Sequence, residues 1–309
     1  MGRLVDGKWV KTSIVTSDNE GRYDRIPRTF RNIIGHKSPY PVESGRYHLY
    51  ISYACPWAHR AMIYRHLKGL NDHISFSVVH PDMLELGWTF EKYKDGIGGD
   101  DLYGLSFLHQ LYQKAQKDIS TSVTVPVLWD KKTETIVNNE SSEIIRIFNE
   151  AFNELTTNKL DYYPEKLKNE IDELNELIYQ NINNGVYLCG FAQNQNSYDE
   201  AVTKLFKSLD HLELRLEGQK FLFGEEITEA DLRLIPTLLR FDLVYFTHFK
   251  CNIRRIKDYK NLSRYTLDLY KVKAICETTN FDHIKRHYYY SHEIINPKRI
   301  IPQGPQDIF

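Results

Sequence analysis

The period of the apolar positions changes twice between residues 47 and 79. Tyr47 to Tyr53 (YHLYISY) alternates large side chains between two faces and is rich in tyrosine and isoleucine, which predicts a β-strand. After Ala54 the spacing becomes helical. Pro56 suits a first helical turn, Ile63, Leu67 and Leu70 recur at intervals of four and three, and Gly69 is a stop signal. Ile74 to Val79 (ISFSVV) predicts a second strand, and the β–α–β unit so formed favours parallel pairing. From His80 to Ser122 the pattern weakens and glycines collect at 96, 98, 99 and 104, which marks an insertion near a site; Trp88 lies in it. Thr124 to Trp129 (TVPVLW) and Glu134 to Val137 predict a hairpin. Pro126 must stand at the start or the edge of its strand, and a cis peptide before it is one explanation. Asn138 opens a capped stretch, NNESSEIIRIFNEAF, with helical spacing at Ile144, Ile147, Phe148 and Ala151.

This order, β–α–β and then β–β–α, with a cysteine at the first helix start and a proline opening the third strand, predicts a thioredoxin-like domain over 47–160. Residues 1–46 are polar with scattered prolines and glycines, and are expected to form an extended leader with little regular structure. Asp161-Tyr162-Tyr163-Pro164 reads as a linker. Beyond it the pattern is helical: Leu167, Ile171, Leu174, Leu177 and Ile178 make one stripe, and Val202, Leu205, Leu209, Leu212 and Leu216 another. Thr228-Glu229-Ala230-Asp231 resembles a capping box ahead of Leu232 to Phe246, so Asp231 is given a structural role. Residues 280–309 are a tail dense in tyrosine and histidine. The expected fold class is therefore α/β followed by all-α, the second domain covering 161–309.

Composition narrows the function. A chain of 309 residues with 41% hydrophobic content can bury two cores. Forty basic and forty-one acidic residues leave a net charge of −1, which supplies no global electrostatic case for nucleic acid or an anionic membrane. The basic run from Arg254 to Lys260 is short, is broken by Asp258, and reads as a solvated face. Twenty-one tyrosines point to pockets that stack flat ligands or simply to an aromatic-rich core. The four cysteines follow no disulfide framework, no signal peptide is recognised at the start, and no apolar run approaches a membrane span. A cytoplasmic location is expected.

Cys55 is the candidate reactive group. At a strand-to-helix junction its sulfur faces unpaired helix N–H groups and the positive end of the dipole, which favours thiolate, the reactive form. His59 and Arg60, one turn on, can add positive potential. The bland alternative is a small buried hydrophobe. Ala58 stands where a CxxC partner would be, so a redox role requires an outside thiol to resolve a mixed disulfide. His248, Cys251, Cys276, His283, His287 and His292 cluster late in the chain, but without a CxxC pair or a complete four-ligand spacing no metal site is expected.

Taken together, ACPWAHR at 54–60, TVPVLWD at 124–130 and NNESSEIIRIFN at 138–149 resemble the glutathione transferases, and most closely the glutathionyl-hydroquinone reductases of the Xi class. The likeness continues through GVYLCGFA at 185–192, FGEEITEADLRLIPTLLRFDLVYFTHFKCNIRRIKDY at 223–259 and FDHIKRHYYYSH at 281–292. The resemblance implies glutathione as co-substrate, an aromatic glutathionyl-hydroquinone as substrate, and a homodimer. It implies Cys55 as the residue that attacks sulfur and Trp88 as a wall of the glutathione site. Val125-Pro126 becomes the cis-proline turn that pairs with the cysteinyl backbone, and Glu140 and Ser141 hold the γ-glutamyl end. Tyr187 and Tyr288 address the hydroquinone hydroxyls, Tyr289 and Tyr290 adjoining the latter. Ser122 departs from the pattern, since family members often carry arginine there, so a charged contact is missing or moved. Two rivals stay open. One is an omega-like thioltransferase or dehydroascorbate reductase that shares Cys55 but not the tyrosine pocket. The other is a non-catalytic binding protein of the same fold.

Overall fold

The chain begins with structure that the expected leader lacked. In the computed structural model, residues 2–12, 16–24 and 27–307 are described, and β1 (Gly2–Val5) pairs antiparallel with β2 (Lys8–Lys11). Asp6 and Gly7 between them have φ of 48° and 70°, as a two-residue hairpin turn requires. Tertiary contacts hold this hairpin: fully buried Leu4 exchanges two 3.0 Å backbone hydrogen bonds with Thr121, and the Trp9 indole donates to Glu85 O at 3.0 Å. A second short pair, β3 (Thr16–Ser17) with β4 (Tyr23–Asp24), is bonded to the helical part of the chain through Glu20 O, which accepts from Asn194 Nδ2 and Ser197 Oγ.

Two units follow from the contacts. The first takes Met1–Ile14, Ile26–Leu160 and Thr278–His287; the second takes Val15–Arg25, Asp161–Glu277 and Tyr288–Phe309. The first is built on a four-stranded sheet. β5 (Tyr47–Ile51) is buried at every position, parallel to β6 (Ile74–Val78) and antiparallel to β7 (Val127–Asp130), with β8 (Thr135–Asn138) outermost. Between β5 and β6 runs α1 (Pro56–Leu67), which ends before Gly69 at φ 66°. It packs on α3 (Ser141–Glu150), whose Ile144, Ile145 and Phe148 are fully buried. Ladder pairing in the third strand starts at Val127 and not at Thr124, because Pro126 has no N–H to contribute. Buried Arg46 clamps buried Asp130 through two bonds of 2.8 and 2.6 Å, which fastens the start of β5 to the end of β7.

The 80–122 segment is more regular than its pattern suggested, since it holds α2 (Leu108–Ala115). Its glycine-rich part is nucleated by Asp100, which accepts from Tyr50 OH at 2.9 Å and from the backbone N–H groups of Leu102, Tyr103 and Leu105.

In the second unit come α4 (Lys168–Ile178), a π turn over Tyr179–Asn183, α5 (Gly185–Gly190) and α6 (Gln195–Arg215). The expected stripe Val202, Leu205, Leu209, Leu212 and Leu216 is buried throughout. α7 (Glu229–Arg240) leads through a second π turn, Phe241–Tyr245, into α8 (Phe246–His248), and α9 (Lys260–Tyr270) and α10 (Lys273–Cys276) follow. Thr228 caps α7 and Asp231 closes the box: its carboxylate accepts from Thr228 N, Thr228 Oγ1, Leu222 N and Tyr265 OH, all within 3.0 Å. Within the tail runs α11 (Phe281–Ser291), whose residues as far as His287 belong to the first unit.

Candidate active site

Tyrosine and isoleucine carry β5 to residue 51, and two residues later the chain turns. Cys55 is the N-cap of α1, extended at φ −77° and ψ 121°, with Pro56 directly after it. Its carbonyl accepts from His59 N at 3.0 Å, so the helix begins at this residue. No side-chain capping bond is made and no acidic residue lies in the first turn. The sulfur therefore meets the amide end of a twelve-residue helix with no carboxylate in that first turn to offset the dipole. Cys55 is half-buried, outside any disulfide, and its thiol donates to Val125 O at 3.6 Å. The Val125–Pro126 peptide is cis, so the cysteine and the proline turn are adjacent.

His59 and Arg60 do not point at open solvent. Both are buried; His59 Nε2 lies 3.1 Å from Thr278 Oγ1, and the Arg60 guanidinium sits over the Trp57 ring at 4.8 Å.

Glu140 is the N-cap of α3, and its carboxylate accepts from both Ser142 N and Ser142 Oγ at 3.0 Å. Burial works against the charge, but the two Ser142 bonds and the field of Arg28 and Arg60 outweigh it and hold the carboxyl below its usual range. Ser141, buried beside it, opens the helix, with its hydroxyl 3.5 Å from the same carboxylate. A fixed anion and the Ser141 hydroxyl thus stand side by side at the positive end of α3, which suits a ligand carrying both an ammonium and a carboxylate. Arg28 escaped the sequence reading because only folding brings the leader near residue 140. It is a positive charge from the leader that acts on the Glu140 carboxyl.

Trp88 is buried and stacks on His287 with centroids 4.9 Å apart and planes at 20°. His287 Nδ1 lies 2.8 Å from Pro81 O, and Arg286 grips Asp82 through two bonds of 2.7 Å, so the loop bearing Trp88 is pinned at several points.

In the helical unit, Tyr187 and Tyr288 share a 2.6 Å hydroxyl–hydroxyl hydrogen bond. Tyr245, which the sequence reading did not single out, extends the chain with a 2.9 Å bond to Tyr288. Burial, followed by the neighbouring Tyr187 and Tyr245, pushes the Tyr288 hydroxyl well above the ordinary tyrosine range, so it stays protonated. Tyr289 instead reaches Leu243 O, and the Tyr290 ring lies under Arg299. Tyr288 is thus the member of its triplet that joins Tyr187. The late histidines and cysteines are scattered: His248 pairs with His292, His283 with Asp95, and His287 with Pro81. Among the described residues no group of three or more metal-ligating side chains is formed, and no helix is long and apolar enough to cross a membrane.

A profile for the N-terminal domain of glutathione S-transferases matches residues 54–151, and one for their C-terminal domain matches 195–266, which defines the class as glutathione S-transferase. The chain is 53% identical to glutathionyl-hydroquinone reductase YqjG of Escherichia coli, over 100% of this chain and 97% of that protein. It is 47% identical to glutathionyl-hydroquinone reductase PcpF of Sphingobium chlorophenolicum, over 99% and 96%. The glutathione-bound structure of YqjG superposes with a TM-score of 0.91 at 51% identity, covering 99% and 97%. The glutathione S-transferase Xi of Phanerochaete chrysosporium superposes with 0.93 at 50% identity, covering 95% and 96%. The chain belongs to the glutathionyl-hydroquinone reductases, the Xi class of that superfamily.

Proposed function

We propose that the protein uses glutathione to reduce glutathionyl-hydroquinones to hydroquinones. One observation carries the reading: a single cysteine at the start of α1, beside a cis-proline turn, in a chain more than half identical to YqjG along its whole length. In the first step the Cys55 thiolate attacks the sulfur of the conjugate. The carbon–sulfur bond breaks, its electron pair stays on the ring carbon, and that carbon takes a proton. A disulfide between Cys55 and glutathione is left. A second glutathione attacks it as thiolate, releases glutathione disulfide and restores Cys55; the thiols supply the two electrons that the ring gains.

The remaining residues bind and orient. Glu140 pairs the γ-glutamyl ammonium, while Ser141, at the positive end of α3, takes its carboxylate. Val125 offers its backbone to the cysteinyl part in the manner of strand addition, and Trp88 walls the site. Tyr187 and Tyr288 hydrogen-bond the ring hydroxyls, with Tyr245 fixing Tyr288 and the cluster serving as proton donor. We also read the protein as a cytoplasmic homodimer, by analogy with transferases of this fold, which sedimentation velocity checks.

The deciding assay compares turnover of a glutathionyl-hydroquinone with turnover of a glutathione mixed disulfide and of dehydroascorbate. A clear preference for the hydroquinone conjugate is expected. Preference for either of the others returns the assignment to an omega-like thioltransferase, and inactivity on all three to a binding protein. Glu140→Gln should raise the KM for glutathione by about tenfold or more while kcat changes far less, because a charge-assisted contact made before and during reaction is lost. Since the Glu140 carboxyl is held below its ordinary range, the wild-type KM should stay flat from neutral pH into mild acid. It should rise only as pH falls through that lowered value.

A further inference from the structure

The helical unit holds a cleft that the reaction above does not use. Its volume is about 470 Å³, and it is lined by Leu177 of α4, Asn181 of the first π turn, and Lys204, Lys207, Ser208 and His211 of α6. Spacings of three, four and seven put the four α6 residues on one helix face. No carboxylate lines the cleft. Among the described residues, none of these five polar side chains has a hydrogen-bond or ion-pair partner. Ser208 makes the point sharpest: it is 5% exposed, yet its hydroxyl is neither bonded back to the helix nor to a neighbour. Its oxygen is not among the sealed polar atoms that lack a partner, so it is reachable from the cleft. Lys204 and Lys207 are like charges on adjacent turns with no counter-charge in the cleft, an arrangement that an anion between them would relieve. Asn181 enters from a π turn, a rare irregularity that recurs at functional positions.

We propose that this cleft binds a small phosphate monoester of nucleotide or sugar-phosphate size. A phosphate monoester carries up to two negative charges and three free acceptor oxygens. Two ammonium groups, an imidazole N–H, an amide and a hydroxyl together match that demand, whereas a carboxylate has only two oxygens to share among them. The volume lies within the range of small-ligand sites and exceeds what inorganic phosphate alone fills, with Leu177 offering apolar contact to the body of the ester.

Titration calorimetry on the full chain, at an ionic strength fixed with potassium chloride, tests this with adenosine monophosphate, inorganic phosphate and adenosine as probes. Saturable one-to-one binding of the monophosphate is expected, displaced by phosphate and not by adenosine. The Lys204→Gln/Lys207→Gln variant should bind at least about tenfold more weakly, as expected for lost charged hydrogen bonds, and Ser208→Ala several-fold more weakly. Both should turn over glutathionyl-hydroquinone at the wild-type rate. No saturable heat from the monophosphate, displacement by adenosine alone, or undiminished binding by the double variant overturns the proposal. If the double variant does not fold, the wild-type competition among the three probes decides by itself.

Discussion

Cys55→Ser is expected to lose at least about a thousandfold in turnover of a glutathionyl-hydroquinone, equivalent to roughly 4 kcal/mol of transition-state stabilisation. The size follows from the chemistry. The reaction as proposed has no route around a sulfur nucleophile, and a serine hydroxyl in the same place remains protonated at neutral pH. Loss of fold is not the cause to fear, because Cys55 makes no side-chain capping bond and Pro56 starts the helix. Thermal unfolding of the variant should match wild type within about a degree, given the small effects typical of substitutions that remove no packing or cap. Intact-mass measurement supplies an independent readout: wild type treated with substrate, without free glutathione, should carry one glutathione, and the variant none. A variant that retains a tenth of the activity, or that still acquires the adduct, would falsify the assignment of Cys55.

Asp231→Ala is expected to be the most damaging single change to stability, at about 3–5 kcal/mol, or roughly 10 °C in Tm. The carboxylate is fully buried and answers four donors: two backbone N–H groups, a threonine hydroxyl and a tyrosine hydroxyl. Alanine strands all four and opens the capping box of α7 at once. Asp231→Asn keeps one acceptor oxygen and should recover part of the loss. A chemical denaturation series on both variants checks the ordering. Equal stability of Asp231→Ala and wild type would show that the network around it contributes nothing.

What was legible in the chain was local. Pro56, Gly69, Pro126 and the Thr228 capping box each act through their own backbone and their immediate neighbours, and the strand and helix starts they predict lie within a few residues of those observed. Periodicity likewise exposed the buried stripe of α6. The misses divide into two kinds. Asp6-Gly7 was a local signal for a hairpin that the polar composition of the leader outweighed. Tyr245 and Arg28 carried no local signal at all. Tyr245 matters because its hydroxyl meets one that lies 43 residues onward, and Arg28 because its charge acts on Glu140. Helix α2 was hidden for a related reason. Its eight residues bury only Leu108, Leu111 and Tyr112, too few to stand out against the glycine-rich sequence before them.

The opening hairpin has a practical corollary for anyone preparing this protein. Its Trp9 ring sits against Gly87, where a Cβ would come within 2.7 Å of the indole, and its indole N–H is bonded to Glu85, so it props the ribbon that presents Trp88. A recombinant clone trimmed of its first dozen codons would keep every residue assigned to chemistry. It would nonetheless deliver a protein in which Trp88, proposed above as a wall of the glutathione site, had lost its buttress, and a weakened enzyme from such a clone would report on the trimming and not on the catalyst.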